Sequence, residues 1–350
     1  MKILCSLLFV LFLSIPSRAQ TDAHSLVQEG VALNDEGRYD EAIAKFDKAL
    51  KLEPGNCEAL YEKSYTLMVT KKYEESTTLL KSILRDCKGE DLRMRSFANY
   101  GTILDMTGEG KKSIKIYNEG IKEFPDKYLL YFNRGVTEAG LGQTDDAILS
   151  FESSLQRNPY HASSHNALAR MMGPQRRIQA LLSVFSFLLI EPEGNRAKAN
   201  VQYLNQLVFK GVERKDDKNV TINIDAAMLD KKKKPKEDDF SSAELMFSLL
   251  SASNEIPDSL GAKNEADRLS YRLQTLVSVI GESSSGKEKG FFKTFYVPMF
   301  RDMKERNLVS TACYIALSAS GDESLQEWAR NNKFEISKFY DWFNNYDWPK

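Results

Sequence analysis

The sequence predicts an all-α chain: a solenoid of paired helices followed by a second helical region. Two observations carry that prediction. First, a degenerate pattern recurs about every 34 residues between Ala23 and His161. Gly30, Ser64, Gly101 and Gly135 hold one position in it, and Ala42, Ser76, Ser113 and Ala147 a second. Phe46, Leu80, Tyr117 and Phe151 hold a third, and Pro54, Lys88, Pro125 and Pro159 close the unit. Second, the apolar residues inside each unit return at spacings of three and four, and glycine or proline punctuates them, as in short helices joined by tight turns. A unit of this length cannot bury its apolar face alone. It must stack on its neighbours, which gives a long concave surface suited to binding rather than to catalysis.

The N-terminal segment comes first. Lys2 precedes an apolar run from Ile3 to Ile15, Pro16 ends the run, and Ser17-Arg18-Ala19 places small residues before Gln20. This is the layout of a secretory signal peptide over 1–19, cleaved near Ala19. The run is shorter than the roughly 20 residues of a spanning helix, and Ala180–Ile190, the next most apolar stretch, is shorter still. No integral membrane span is expected. The Ala-Gln cleavage site resembles bacterial ones, so the expected location is secreted or periplasmic, in or near a cell-envelope assembly.

The solenoid is expected over 20–210. In the first unit, 23–56, Leu26, Gly30 and Leu33 share one helix face, Gly37 ends that helix, and Tyr39, Ala42, Ile43, Phe46, Ala49 and Leu50 make the face of a second. Units follow at 57–90, 94–127, 128–161 and 162–194, the fifth with one residue fewer at its Gly173-Pro174 turn. Asn195–Lys210, with Val201, Leu204, Leu207 and Val208 at helical spacing, reads as a capping helix.

The order of small residue, tyrosine after the turn, alanine, phenylalanine, alanine and proline resembles the tetratricopeptide repeat. The resemblance covers about half the chain. It implies a right-handed α-solenoid that binds a protein or peptide on the inner face of its first helices. Carried over residue by residue, the lining is Val27, Val31, Tyr61, Tyr65, Met68, Arg95, Thr102, Asp105, Phe132, Val136, Asn166 and Arg170. This set lacks the Lys and Asn of a carboxylate clamp. It suits a peptide offering an apolar side chain, with the two arginines favouring an acidic neighbour.

Past the solenoid, 211–239 mixes acidic and basic runs with the alternating Val220, Ile222 and Ile224. It reads as a charged linker with a brief strand. The section 240–350 is helical by pattern, with stripes at Leu269-Leu273-Leu276-Val277-Ile280, Phe292-Phe295-Tyr296-Met299-Met303 and Ile336-Phe339-Tyr340-Phe343. Pro298 marks a kink or a helix start. This section resembles no family.

Composition narrows the function. With 48 basic and 49 acidic side chains, the chain lacks the basic excess of a general nucleic-acid binder. Cys57 and Cys87 fall at ends that an antiparallel helix pair brings together, so they form either a disulfide or two separate thiols. Gly281–Lys287 has the spacing of a phosphate loop, but Glu288 stands where Ser or Thr would hold Mg²⁺. His161 and His165 are four apart, without a third ligand close in sequence. No nucleophile elbow or zinc-hydrolase motif is present. The expectation is a non-enzymatic scaffold with no catalytic residue, metal or cofactor. Two alternatives remain: an enzyme whose C-terminal helices are catalytic, with the repeats as adaptor, or a compact subunit whose own C-terminal helices fill the groove.

Overall fold

A computed structural model describes residues 16–215, 219–223, 237–253, 264–282 and 289–349. The apolar run Ile3–Ile15, Ile224, the lysine cluster Lys231–Lys236 and the Ser283–Glu288 part of the glycine-lysine motif lie outside the described residues. The described chain is all-α apart from one two-stranded ribbon, and it divides into two compact units, Met1–Asp146 and Ala147–Lys350.

In the first unit, α1 (Pro16–Asp35) pairs with α2 (Tyr39–Leu52), α3 (Cys57–Val69) with α4 (Tyr73–Asp86), and α5 (Glu90–Met106) with α6 (Gly110–Glu123). The first helix of the next pair, α7 (Tyr128–Gly140), stacks on α6. Each first helix ends in one left-handed residue: Gly37, Gly108 and Gly142 at φ 75°, 80° and 74°, and Lys71 at φ 62° in the second repeat. Glycine takes that conformation without a Cβ clash, and lysine does not. In the first and third repeats the small residue of the first helix sits under an aromatic ring. A Cβ added at Gly101 would stand 2.4 Å from the Tyr117 ring, and one at Gly30 2.5 Å from Phe46. The second repeat carries Ser64 there and the smaller Leu80 opposite, and Ser76 Oγ donates to Ser64 O at 2.7 Å.

Cys57 opens α3 and Cys87 follows α4. They are joined by a disulfide with the Cα atoms 6.1 Å apart. This repeat lacks the closing proline. Arg93 takes over part of that role, donating to Cys87 O at 3.2 Å and to Leu84 O, while its guanidinium also holds Glu123 at 2.6 Å.

The second unit starts inside α8 (Thr144–Arg157) and continues with α9 (Ala162–Met172), α10 (Arg177–Ile190) and α11 (Gly194–Val208). A left-handed Gly173 and a 3-10 turn at Pro174–Arg176 join α9 to α10, where the sequence is one residue short. Val212–Arg214 (β1) and Val220–Ile222 (β2) form an antiparallel ribbon with Val212 opposite Ile222. Within the expected linker, the alternating residues thus make a paired ribbon. It packs on α12 (Ser241–Ala252).

The remaining helices are α13 (Glu265–Glu282), α14 (Val297–Glu305), α15 (Val309–Ala316), α16 (Glu323–Asn331) and α17 (Lys333–Phe343). Phe292–Tyr296, just before α14, is a π-helical turn in which the Val297 N–H reaches Phe292 O. Pro298 has no N–H for the carbonyl one turn back, so the chain widens there instead of continuing an α-helical ladder.

The core of this unit is α10. Residues Ala180 through Leu189 are buried on every side, among α9, α11, α12, α15 and the π-helical turn. A helix apolar all round is a core helix when it is too short to span a membrane. No described helix is long and apolar enough to cross one.

Candidate functional site: the face of the first helices

In the first unit α1 touches α3, α3 touches α5 and α5 touches α7. The first helices therefore form a continuous row. On each, the residue one place after the packed small residue, and the one a turn further on, share a face. They are Val31 and Asp35, Tyr65 and Val69, Thr102 and Met106, and Val136 and Gly140. Four apolar side chains stay open on this row: Tyr65 at 37%, Val69 at 39%, Met106 at 59% and Val136 at 44% exposure.

The sequence-derived lining divides on this geometry. Val27 and Tyr61 are buried; Val27 packs with Phe46 and Ala59, and Tyr61 with Leu80 and Ile103. Tyr61 Oη accepts from Asn99 Nδ2 at 3.0 Å, and burial raises the phenol's pKa. Thr102 Oγ1 donates to Ala98 O and meets Tyr117 Oη at 3.1 Å, so its hydroxyl serves packing; burial pushes Tyr117 up to about 12. Arg95 is not a free cation. Its guanidinium lies 4.3 Å from the Tyr61 ring centroid and 3.6 Å from Asp91. Val31, Met68, Asp105 and Phe132 are half-buried, and Tyr65 and Val136 are open. Val69 and Met106, one helical turn past Tyr65 and Thr102, belong to the same face and were missed. The i, i+4 spacing alone would have found them.

The remaining two residues belong to the second unit. Arg170 stacks on the Tyr203 ring at 4.0 Å and donates to Asn200 Oδ1 at 3.1 Å. Asn166 is half-buried, and its Oδ1 has no hydrogen-bond partner among the described residues. Both arginines of the lining are thus held by tyrosine rings of the chain itself.

The other candidate chemistry resolves into packing. His165 is fully buried, with Nδ1 2.7 Å from Tyr296 Oη and Nε2 2.7 Å from Pro159 O; burial pushes its pKa down to about 4. His161 Nδ1 meets Ser164 Oγ at 2.8 Å. The C-terminal aromatics close over this region, with Trp348 stacked on Phe295 at 4.8 Å and Tyr160 donating to Phe343 O at 2.7 Å. A cavity of about 180 Å³ beside α12 is lined by Asp239, Phe240, Ser241, Ile280 and Lys293. Asp239 there is already spent accepting from the Ser241 N–H and hydroxyl.

Residues 33–93 match the family model described as the tetratricopeptide repeat. Together with the helix pairing, this identifies the N-terminal repeats as tetratricopeptide repeats. The repeats form a solenoid, and a helical C-terminal region that matches no family model follows them. Among solved structures, the chain is similar to TTC0263, a thermophilic tetratricopeptide-repeat protein of Thermus thermophilus, at 23% identity and TM-score 0.43, covering 53% of this chain and 98% of that one. It is similar to pilF of Pseudomonas aeruginosa at 16% identity and TM-score 0.48, covering 54% and 86%. YrrB, described as a tetratricopeptide-repeat protein with an unusual peptide-binding site, matches at 22% identity and TM-score 0.38, covering 51% and 90%. No curated protein matches the chain by sequence.

Proposed function

We propose that this chain is a non-enzymatic scaffold that holds a protein or peptide partner against the first helices of its N-terminal unit. The observation that carries the reading is the row Tyr65, Val69, Met106 and Val136. The same repeats bury Phe46, Leu80 and Tyr117 completely or nearly so, yet leave four large apolar side chains open on one face. Apolar side chains gathered on one face mark an interaction surface more often than scattered ones do. The partner acts as an apolar wedge across α3, α5 and α7. The signal-peptide layout of 1–19 supports export, and a disulfide between Cys57 and Cys87 suits an oxidising compartment such as a bacterial periplasm. The scaffold then works within an envelope assembly.

The test is site-specific photocrosslinking in the native host, with the probe at Met106 on the row or at Thr78, exposed on α4. Adducts from Met106 and none from Thr78 are expected. Equal adducts from both positions, or none from Met106, would sink the reading. N-terminal sequencing of the protein recovered from the host tests export, with Gln20 as the expected first residue.

A further inference from the structure

The charge on the row names the chemistry of its occupant. Among the described side chains of α1, α3, α5 and α7, every lysine and arginine is already engaged. Lys63 holds Asp47 at 2.6 Å, Arg93 holds Glu123, Arg95 lies on Tyr61 beside Asp91, and Arg134 holds Asn118 at 2.7 Å and Glu138 at 3.4 Å.

The carboxylates on the same helices are not all matched. Asp35, Glu62 and Asp105 have neither a hydrogen bond nor an ion pair through their side chains among the described residues. Glu62 is half-buried, three residues before Tyr65 and seven before Val69, so it shares their face. Loss of water raises its pKa; Arg95 offsets part of this, while Glu58 and Asp35 add to it. Asp105 is half-buried immediately before Met106. The apolar row is therefore edged by Asp105, which no cation pairs among the described residues, and by Glu62, whose charge Arg95 offsets only in part.

We propose that the occupant is a basic-apolar peptide segment: an aliphatic or aromatic anchor on Tyr65, Val69 and Met106, with a lysine or arginine within about one helical turn of it reaching Glu62 or Asp105. This rests on the groove reading above and reverses the acidic preference that two arginines in the sequence suggest, because both arginines are already stacked on tyrosines. A cation brought to a half-buried carboxylate that is unpaired, as Asp105 is, or only partly compensated, as Glu62 is, restores what desolvation removed. A carboxylate brought there adds like charge and is excluded.

The test is selection of short random peptides on the whole chain, followed by fluorescence anisotropy with the enriched peptides. The comparison proteins are Glu62→Gln/Asp105→Asn and Tyr65→Ala/Met106→Ala, each checked for an unchanged circular dichroism spectrum. Enrichment of Lys or Arg beside an apolar anchor is expected. Affinity should fall about tenfold in Glu62→Gln/Asp105→Asn and weaken with salt, as a charge-assisted contact should. Enriched peptides that are neutral or acidic, bind that variant as well as the wild type, and are lost only in Tyr65→Ala/Met106→Ala overturn the charge inference and leave the groove standing. Peptides indifferent to Tyr65→Ala/Met106→Ala, or no enrichment at all, overturn the groove reading and this inference with it.

Discussion

Single side chains in this protein show why a repeat position tolerates only certain residues. Gly101 has the Tyr117 ring where a Cβ would stand, at 2.4 Å, and the ring is itself buried and cannot swing away cheaply. Gly101→Val is expected to cost about 2–3 kcal/mol as overpacking, read as a lower urea midpoint at constant m-value. Glu152 makes a different argument. Burial raises its pKa from the ordinary 4.5 to about 7; Asp238 adds to the rise and Arg176 opposes it. An acid whose folded pKa is raised contributes stability that is full below 4.5 and is lost as pH rises through about 7. Glu152→Gln should therefore raise the melting temperature at a pH near 8, by the equivalent of about 1–3 kcal/mol, and leave it unchanged near pH 4. A variant that melts like the wild type at both pH values would show that Glu152 titrates normally.

At the scale of the element, the second helix pair departs most from the repeat pattern and carries its own reinforcement. It has Ser64 for glycine, Leu80 for an aromatic, Lys71 for the turn glycine and Lys88 for proline. The disulfide ties the start of α3 to the end of α4 across 30 residues. Cys57→Ser/Cys87→Ser should lower stability by about 2–4 kcal/mol, mainly by freeing the unfolded chain, with hydrogen exchange rising first in α3 and α4. Lys71→Gly should act the other way. Lys71 sits at φ 62° where the other repeats use glycine, so the substitution relieves a Cβ clash and is expected to add up to about 1 kcal/mol. Its check is the urea midpoint, and a fall there would mean the lysine stem contributes more than the strain it carries.

At the scale of the whole molecule, the C-terminal region is bolted to the fifth repeat by a buried ion pair. Arg177 Nε lies 2.9 Å from Glu244 Oε1, its other nitrogens donate to Lys210 O, Glu244 O and Ser248 Oγ, and its side chain is 1% exposed. Burial lowers the Arg177 pKa and raises that of Glu244, each offset by the other's charge. Arg177→Ala would leave Glu244 buried and alone, at a cost of about 3–5 kcal/mol, whereas Arg177→Met/Glu244→Leu should recover most of the loss. Equal melting of the single and double variants would show that packing, not charge, makes the joint. A chain cut after Asp239 would lose this joint and is expected to be a poor isolated solenoid. It would uncover the faces of α10 that α12, α15 and the π-helical turn now bury.

The local grammar of the repeats was legible in the sequence because it is short-range. Spacings of three and four set the helices, the glycines at 37, 108 and 142 set their ends, and Cys57 and Cys87 fall at helix ends that pairing brings together. About half of the candidate site was legible too. Tyr65 and Val136 stand open on the predicted face, and a spacing of four from Tyr65 and Thr102 points to Val69 and Met106. What the sequence could not decide was which neighbour each helix face would meet. Val27 and Tyr61 carry the right residue types at lining positions, yet their own and the adjoining repeat bury them, and tyrosines about one repeat away occupy Arg95 and Arg170. Only the tertiary structure showed that α10 of the fifth repeat is the core of the second unit, and that the compact boundary falls at Asp146, inside a repeat. The physical reason is range: periodicity is written in neighbours a turn apart, whereas burial and charge pairing are settled by contacts between elements that the chain brings together only when it folds.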